Sequence, residues 1–254
     1  LLRREIDGLG GPFRRVVKGF KVDINVFPYA VFLYFDVSRP STCGSSLITG
    51  KIVITSAHCL REMVVPGGRV HAYLGATIPI HAKVVRNVTN FKIHPKYKQD
   101  TGGNDLGLAM LHKEVPMQRG IHKIPLYKKS VEVNETLYTV GWGKQWPNVL
   151  PDISDERQLT ASKQRIISIN ECFITTGIKI SGTHLCSLSV VGYHYRGDMG
   201  NGLVTTKPSL ALVAVVAFMK GEATLYANLF NEKRWLRETI QELYGREPIH
   251  LESF

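Results

Sequence analysis

Short runs of apolar residues, rich in Val, Ile, Leu, Phe and Tyr, recur along most of the chain. Clusters of Gly, Pro, Asn and Asp separate these runs, and this spacing is typical of antiparallel strands joined by turns. The clearest predicted strands are 29–35, 46–48, 52–55, 70–74, 78–85, 106–111, 136–140, 203–204 and 210–218. The pattern therefore predicts an all-β protein, either a barrel or a sandwich of many short strands.

One segment near the C-terminus, 231–244, follows a helical pattern instead. Leu236, Ile240 and Leu243 recur on one face of it. The segment begins at Asn231, a residue type that caps helices well, and a glycine follows its end. We expect a helix here that docks on the strands and closes the fold.

Two further segments have a simple interpretation. Residues 144–158 carry prolines and charges without periodicity, which predicts an exposed loop. The longest apolar run, 210–219, is much shorter than the roughly 20 residues that a membrane-spanning helix needs. We therefore expect a buried strand there and no transmembrane anchoring.

Charge narrows the possible partners. The 254 residues include 32 Lys and Arg against 21 Asp and Glu, a net charge of +11. Such an excess favours anionic partners, such as sulfated glycans or acidic proteins, although it also serves solubility. No sequence motif for RNA or DNA accompanies the basic residues, so we expect no nucleic-acid partner. The basic groups are Arg14 and Arg15, 92–98, 119–129 and 233–237.

The four cysteines, Cys43, Cys59, Cys172 and Cys186, form two well-separated pairs in the sequence. This distribution suggests two local disulfides, although four cysteines allow three pairings. The chain has no CxxC motif and no zinc-finger spacing. We expect neither a metal nor another cofactor.

Two glycosylation motifs, at Asn87 and Asn134, are compatible with a secreted, extracellular glycoprotein. A three-residue motif also arises by chance. The chain begins Leu-Leu-Arg-Arg-Glu, so we expect any secretory leader to have been removed already.

Three stretches carry residues that could do chemistry. TSAHC places His58 at the end of an apolar strand, NDLGLAML opens another strand with Asp105, and GDMGNGLV places Met199 among glycines. Each stretch alone has a structural interpretation, because such residues are common beside a cysteine or in a turn. Their order along the chain, His, Asp and then a glycine-flanked position, is more informative than any one stretch.

Together the three stretches resemble the chymotrypsin-like (trypsin) serine protease family, whose triad follows the order His, Asp, Ser. TSAHC is similar to the family's TAAHC, NDLGLAML to DIALL, and GDMGNGLV to GDSGGPLV. RVVKG with FPYAVFL, and then CGSSLI, HPKY and VGWG, are similar to further family landmarks. The resemblance covers residues 16–244.

The resemblance implies a fold of two six-stranded antiparallel β-barrels with a C-terminal α-helix. It also implies that Cys43 pairs with Cys59 and Cys172 with Cys186. The implied organisation is a propeptide-like segment 1–15 and a protease domain 16–254, with barrels over roughly 16–120 and 121–230 and a helix over 231–244.

The resemblance also assigns catalytic positions. His58 matches the general base, Asp105 the carboxylate that orients it, and Met199 the nucleophile, while the backbone amides of Gly197 and Met199 match the oxyanion hole. A thioether cannot be deprotonated or acylated, and loss of the nucleophile from a related triad costs about 10⁶ in turnover. On this ground we expect that the chain is not an enzyme.

The implied substrate pocket departs from the family too. Tyr193 stands where the family places the residue that selects the substrate side chain. Ala217, Phe218 and Met219 stand where the family usually has Ser-Trp-Gly, so we expect Met219 to narrow the slot. Asn201 replaces a glycine of the family's GGP.

An activation site is implied as well. Cleavage after Arg15 would free the amine of Val16, which in the family pairs with the carboxylate matched here by Asp198. The alternative is that Arg14 and Arg15 are an ordinary exposed basic pair. Our hypothesis is that cleavage orders the loop around Asp198.

These expectations favour a secreted serine protease homologue that acts through binding. It would serve as a cofactor, decoy or adaptor for active proteases, their substrates or their inhibitors. Two alternatives stay open: a hydrolase with weak or altered activity that uses His58 and the oxyanion-hole amides, and a basic protein that binds sulfated glycans.

Overall fold

The structure, a computed structural model, describes residues 19–61, 63, 68–100, 102–143, 157–192 and 197–245. Arg15, Val16 and Tyr193 lie outside these residues, as do the propeptide-like segment and residues 144–156 of the predicted loop.

Six strands of the first half close into an antiparallel barrel in the order β2-β3-β4-β7-β6-β5. Alternate residues of β2 pack into two different cores: Val31 and Leu33 belong to one apolar cluster and Phe32 to another. Successive side chains of a strand point to opposite faces, so a strand with a core on each side needs a continuous apolar run. The strands are β1 Phe20–Lys21, β2 Ala30–Asp36, β3 Ser41–Leu47, β4 Ile52–Thr55, β5 Arg69–Leu74, β6 Val84–Ile93 and β7 Gly107–Leu111.

The second half forms another antiparallel ring, in which β9, β10, β13, β12, β11 and β8 follow one another and β8 pairs with β9. Strand β1 adds to its edge beside β9. Two six-stranded barrels with a C-terminal helix confirm the predicted fold class. The strands are β8 Thr136–Gly141, β9 Thr160–Ile166, β10 His184–Val191, β11 Gly202–Thr205, β12 Ala211–Lys220 and β13 Ala223–Asn228.

The described segments contain the helices α1 Ala57–Arg61, α2 Ile169–Thr176 and α3 Lys233–Tyr244, and 3-10 turns at Pro79–His81 and Phe230–Glu232. None of these helices is long and apolar enough to cross a bilayer. The predicted strand 78–85 is wrong in its first half. Pro79, which has no N–H to give to a sheet, opens a 3-10 turn there, and β6 begins only at Val84.

The C-terminal helix was predicted two residues too long. Phe230–Glu232 forms a 3-10 turn, and the Asn231 side chain donates to the Gly182 carbonyl at 3.0 Å instead of capping α3. The predicted apolar face is correct, because Leu236, Ile240 and Leu243 are buried.

Helix α2 was not predicted, although the sequence carries a signal for it. Ser168 accepts a hydrogen bond from the Glu171 N–H at 3.1 Å, and Gly177 ends the helix in the left-handed conformation. A serine followed three positions later by glutamate is a recognised helix-start pattern.

Both disulfides implied by the resemblance are formed, Cys43–Cys59 and Cys172–Cys186. Sequence separations of 16 and 14 residues correspond to about 3 kcal/mol of stabilisation each in the chain-entropy account. The first disulfide ties β3 to α1, the helix that carries His58. It therefore fixes one wall of the candidate site.

Candidate active site

Asp105 lies two residues before β7 and is only 2% exposed. Its Oδ1 accepts a hydrogen bond from the backbone N–H of His58 at 2.8 Å. Burial raises the pKa of this carboxyl to about 7, although the backbone N–H groups of His58 and Ala57 oppose the shift. Asp105 thus anchors the backbone at the start of α1.

The His58 side chain is exposed. In the described part of the chain, no hydrogen bond joins its imidazole ring to Asp105. The structure therefore brings these two residues together through the backbone of His58. In a working triad the carboxylate would hold the ring itself.

Tyr97 belongs to this site, and the sequence analysis did not single it out. Burial, and secondly the negative charge of Asp105, raise the pKa of Tyr97 to about 12, while the nearby Arg61 acts in the opposite direction. Tyr97 therefore stays a neutral phenol close to Asp105. The HPKY landmark that contains it was the available signal.

Met199 occupies the loop opposite α1. Its side chain is partly buried and packs against the apolar cluster of the first barrel. Its carbonyl accepts a hydrogen bond from the Gly44 N–H at 2.8 Å. A Cβ added to the next residue, Gly200, would lie 2.2 Å from Thr55 Oγ1, so only glycine fits there. Strands β3 and β4 thus hold the loop against the first barrel.

Two backbone amides of this loop, those of Gly197 and Met199, are candidates for binding a ligand oxygen. Among the described residues, neither the Gly197 nor the Met199 N–H has a hydrogen-bond partner. Gly197 adopts a φ of +96°, which glycine tolerates and other residues rarely adopt. Neighbouring amides of this kind can bind the oxygen of a carbonyl or a carboxylate.

Asp198 is buried and held from two directions. Its Oδ1 accepts hydrogen bonds from the Gly143 N–H and from Asn201 Nδ2, both at 2.8 Å. Asn201 is 1% exposed, so the sequence difference from the family's GGP places a buried amide against this carboxylate. The pairing of Asp198 with the Val16 amine stays a prediction, because Val16 lies outside the described residues.

The predicted pocket residues follow one another on β12. Ala217 is buried, Phe218 is 44% exposed, and Met219 is partly buried against a cluster that includes Tyr226. A Cβ at Gly102 would lie 3.9 Å from the Cβ of Phe218. The loop before Asp105 therefore lies within van der Waals distance of β12. The narrowing of the slot by Met219 stays a prediction, since Tyr193 lies outside the described residues.

The predicted exposed loop 144–158 is described only at its end, from Arg157 onward. At Arg157 the prediction of exposure is wrong. This residue is only 9% exposed. Its NH1 donates to Thr42 Oγ1 at 3.4 Å and to the Trp142 carbonyl at 3.3 Å, and its guanidinium lies 5.1 Å from the Phe32 ring centroid. Contacts with residues distant in sequence, which local patterns do not show, bury this cation.

Both glycosylation motifs lie at exposed asparagines. The Asn87 Oδ1 is 2.9 Å from Nδ1 of His71, and the Asn134 Oδ1 accepts from NH1 of Arg165 at 3.0 Å. Glycosylation itself stays a prediction.

Two six-stranded antiparallel barrels with a C-terminal helix define a chymotrypsin-like protease architecture. A family model described as Trypsin matches residues 16–236, so the chain belongs to the trypsin family.

Curated relatives cover most of the chain. A trypsin of Sarcophaga bullata is 27% identical over 250 residues, covering 95% of this chain and 93% of its own. Hypodermin-A of Hypoderma lineatum is 28% identical over 209 residues, covering 80% and 77%. A chymotrypsin of Phaedon cochleariae is 29% identical over 237 residues, covering 89% and 82%.

The prediction that the chain is not an enzyme is wrong, because the family model is that of trypsin and relatives are named as trypsins and a chymotrypsin. That prediction was based on one side chain, Met199, and not on the family to which the whole chain belongs. The assignment of His58, Asp105 and the Gly197 amide to catalytic positions stays a prediction. At 26 to 29% identity, the names describe the relatives' activities and leave the reaction of this chain open.

Proposed function

We propose that this trypsin-family protein is secreted and acts through binding at the cleft between its barrels, as a cofactor, decoy or adaptor in a proteolytic cascade. The observation that carries the proposal is Met199. Its backbone is held as part of a glycine-rich loop whose Gly197 and Met199 amides have no partner among the described residues, while its side chain is a thioether packed against the first barrel. Two disulfides in so small a protein support an oxidising, extracellular compartment.

The described residues around the proposed cleft suit an extended protein segment. Phe218 offers a half-exposed aromatic ring, and the amides of Gly197 and Met199 offer donors to a carbonyl of the bound chain. Exposed aromatic residues at the centre of an interface often dominate its binding energy. The partner class that presents such a segment is a protein inhibitor or substrate of active proteases.

We expect at least one member of a panel of protein protease inhibitors, varied at the reactive-site residue, to bind the immobilised protein. Phe218→Ala should weaken that binding about 30-fold, since an aromatic hot spot is worth about 2 kcal/mol. Surface plasmon resonance measures both. Ile174→Ala is the matched control, because Ile174 is 83% exposed on α2, and should leave the affinity unchanged. Failure of the whole panel, or an equal loss in both variants, would overturn the proposal.

A second candidate, a hydrolase of weak or altered activity, is favoured by the Gly197 and Met199 amides, which lack a partner among the described residues, by His58 and Asp105, and by the names of the relatives. Its nucleophile would be a water molecule from which His58 takes a proton, because the Met199 thioether has no hydroxyl to offer.

Hydrolysis of a nitrophenyl ester tests this candidate. We expect a hydrolase to lose about 100-fold in kcat/KM in His58→Ala, the usual contribution of a general base, and to keep its rate in Met199→Ala. His71→Ala serves as the control for loss of a histidine. A rate that survives His58→Ala, or labelling of a serine by a fluorophosphonate, would exclude the water mechanism.

A further inference from the structure

Three segments bring basic side chains together at the start of α3. The Lys233 Nζ donates to the carbonyl of Lys128 at 3.0 Å, which joins the loop after residue 127 to the helix. The His94 Nε2 lies 3.0 Å from Oε2 of Glu232, which holds the loop after β6 against the same end. We name this the α3 basic surface; its members are Lys96, Lys128, Lys129, Lys233, Arg234 and Arg237.

The neighbouring carboxylates are already engaged. Glu232 faces inward, with its side chain 13% exposed, and accepts from His94 and Asn104. Glu238 pairs with Arg234 at 2.7 Å. Glu242 pairs with Lys92.

Most of the α3 basic surface is therefore uncompensated. Within the described residues, only Arg234 among its six members lies within ion-pair distance of a carboxylate. Lys233 is partly buried, and the other five residues are exposed. The cations lie at a surface, on long flexible side chains, and not in a closed anion pocket.

We infer that the α3 basic surface binds a linear sulfated glycan. Cations spread over separate segments match a chain that repeats its negative charge, whereas a single small anion would need converging donors. A membrane is a poorer match because Phe230, the exposed aromatic residue next to these cations, has the Lys233 amine 4.3 Å from its ring centroid. This inference concerns a surface on α3 and does not rest on the proposed function of the cleft.

The test removes three charges while leaving the backbone contact of Lys128 and the Lys233 side chain in place. We expect Lys128→Gln/Lys129→Gln/Arg237→Gln to bind immobilised heparin about 100-fold more weakly near physiological salt, if each basic residue contributes about a factor of five, as it does near an anionic membrane surface. The slope of log affinity against log salt should also fall, since fewer counterions are released. Salt-gradient elution and titration calorimetry measure the two effects, and unchanged thermal melting shows that the variant is folded.

The matched control removes three charges elsewhere, in Lys83→Gln/Lys113→Gln/Arg119→Gln. These residues are exposed in loops of the first barrel, where the Lys83 Nζ donates to the Arg119 carbonyl at 2.8 Å. We expect the control to keep nearly the affinity of the parent protein. Equal losses in both variants would show that only net charge matters and would overturn the inference. So would absence of heparin binding by the parent protein, or tighter binding of phosphatidylserine vesicles than of heparin.

Discussion

Gly141→Ala is expected to destabilise the folded protein by about 4 kcal/mol, a large fraction of the stability of an ordinary domain. Overpacking a buried site costs about 1–3 kcal/mol, and stranding a buried hydrogen-bonding group costs about as much again. A Cβ at Gly141 would lie 1.8 Å from Nδ2 of Asn201. The Asn201 amide is 1% exposed and donates to Asp198, so it cannot move aside without losing that bond.

The clash can be relieved at the other residue. We expect Asn201→Gly to rescue Gly141→Ala, so that the double variant is more stable than the sum of the two single losses predicts by about 2–3 kcal/mol, the upper range of coupling between residues in contact. The free energy of unfolding from urea titration of all four proteins measures this coupling. Gly44→Ala should behave like Gly141→Ala, because its Cβ would lie 1.6 Å from Oδ1 of Asn201.

Gly182→Ala provides the control, since nothing lies within 4 Å of a Cβ added there. It should change the free energy of unfolding by less than about 1 kcal/mol. If Gly141→Ala is as mild as Gly182→Ala, or if Asn201→Gly gives no rescue, the described packing of Asn201 is incorrect.

The contacts of Asn201 could not be predicted from the sequence. The sequence displays Asn201 as a departure from the family's GGP, yet Gly44 and Gly141, which make room for it, lie 157 and 60 positions away in the chain. Only the closing of both barrels brings the three together. The strands of the barrels could be predicted, because a strand that packs against a core on each face, such as β2, has a continuous apolar run in the sequence.

At the candidate triad, too, part of the arrangement could be predicted from the sequence and part could not. The order of motifs placed His58 beside Asp105, and the structure brings them into contact. The order of motifs could not show that the contact runs through the backbone of His58, or that burial would raise the pKa of Asp105. Those properties depend on how completely α1, β7 and Tyr97 exclude water. Helix α2 is a different case, since the Ser168 to Glu171 signal was present in the sequence and was overlooked.

Raising the pH from about 4 to about 8 is expected to destabilise the folded protein through Asp105. The pKa of this carboxyl rises from 3.8 to about 7 on folding, chiefly because of burial. Between these values the folded state keeps a proton that the unfolded state has lost, so stability falls as the pH rises. Each pKa unit is worth about 1.4 kcal/mol, so the effect is on the order of 4 kcal/mol. This loss of stability is absent below the pKa of Asp105 in the unfolded state and complete above its pKa in the folded state.

Asp105→Asn removes the titration while keeping an oxygen that can accept from the His58 N–H. Its free energy of unfolding should match that of the parent protein near pH 4 and exceed it by a few kcal/mol near pH 8. Urea titrations over this range measure the difference, which also cancels the titration of other groups. Asp36→Asn, at the exposed end of β2, is the matched control for replacement of a carboxylate by an amide. A difference between Asp105→Asn and the parent that does not change with pH would mean that Asp105 is ionised in the folded state throughout, and that the two backbone N–H donors outweigh its burial.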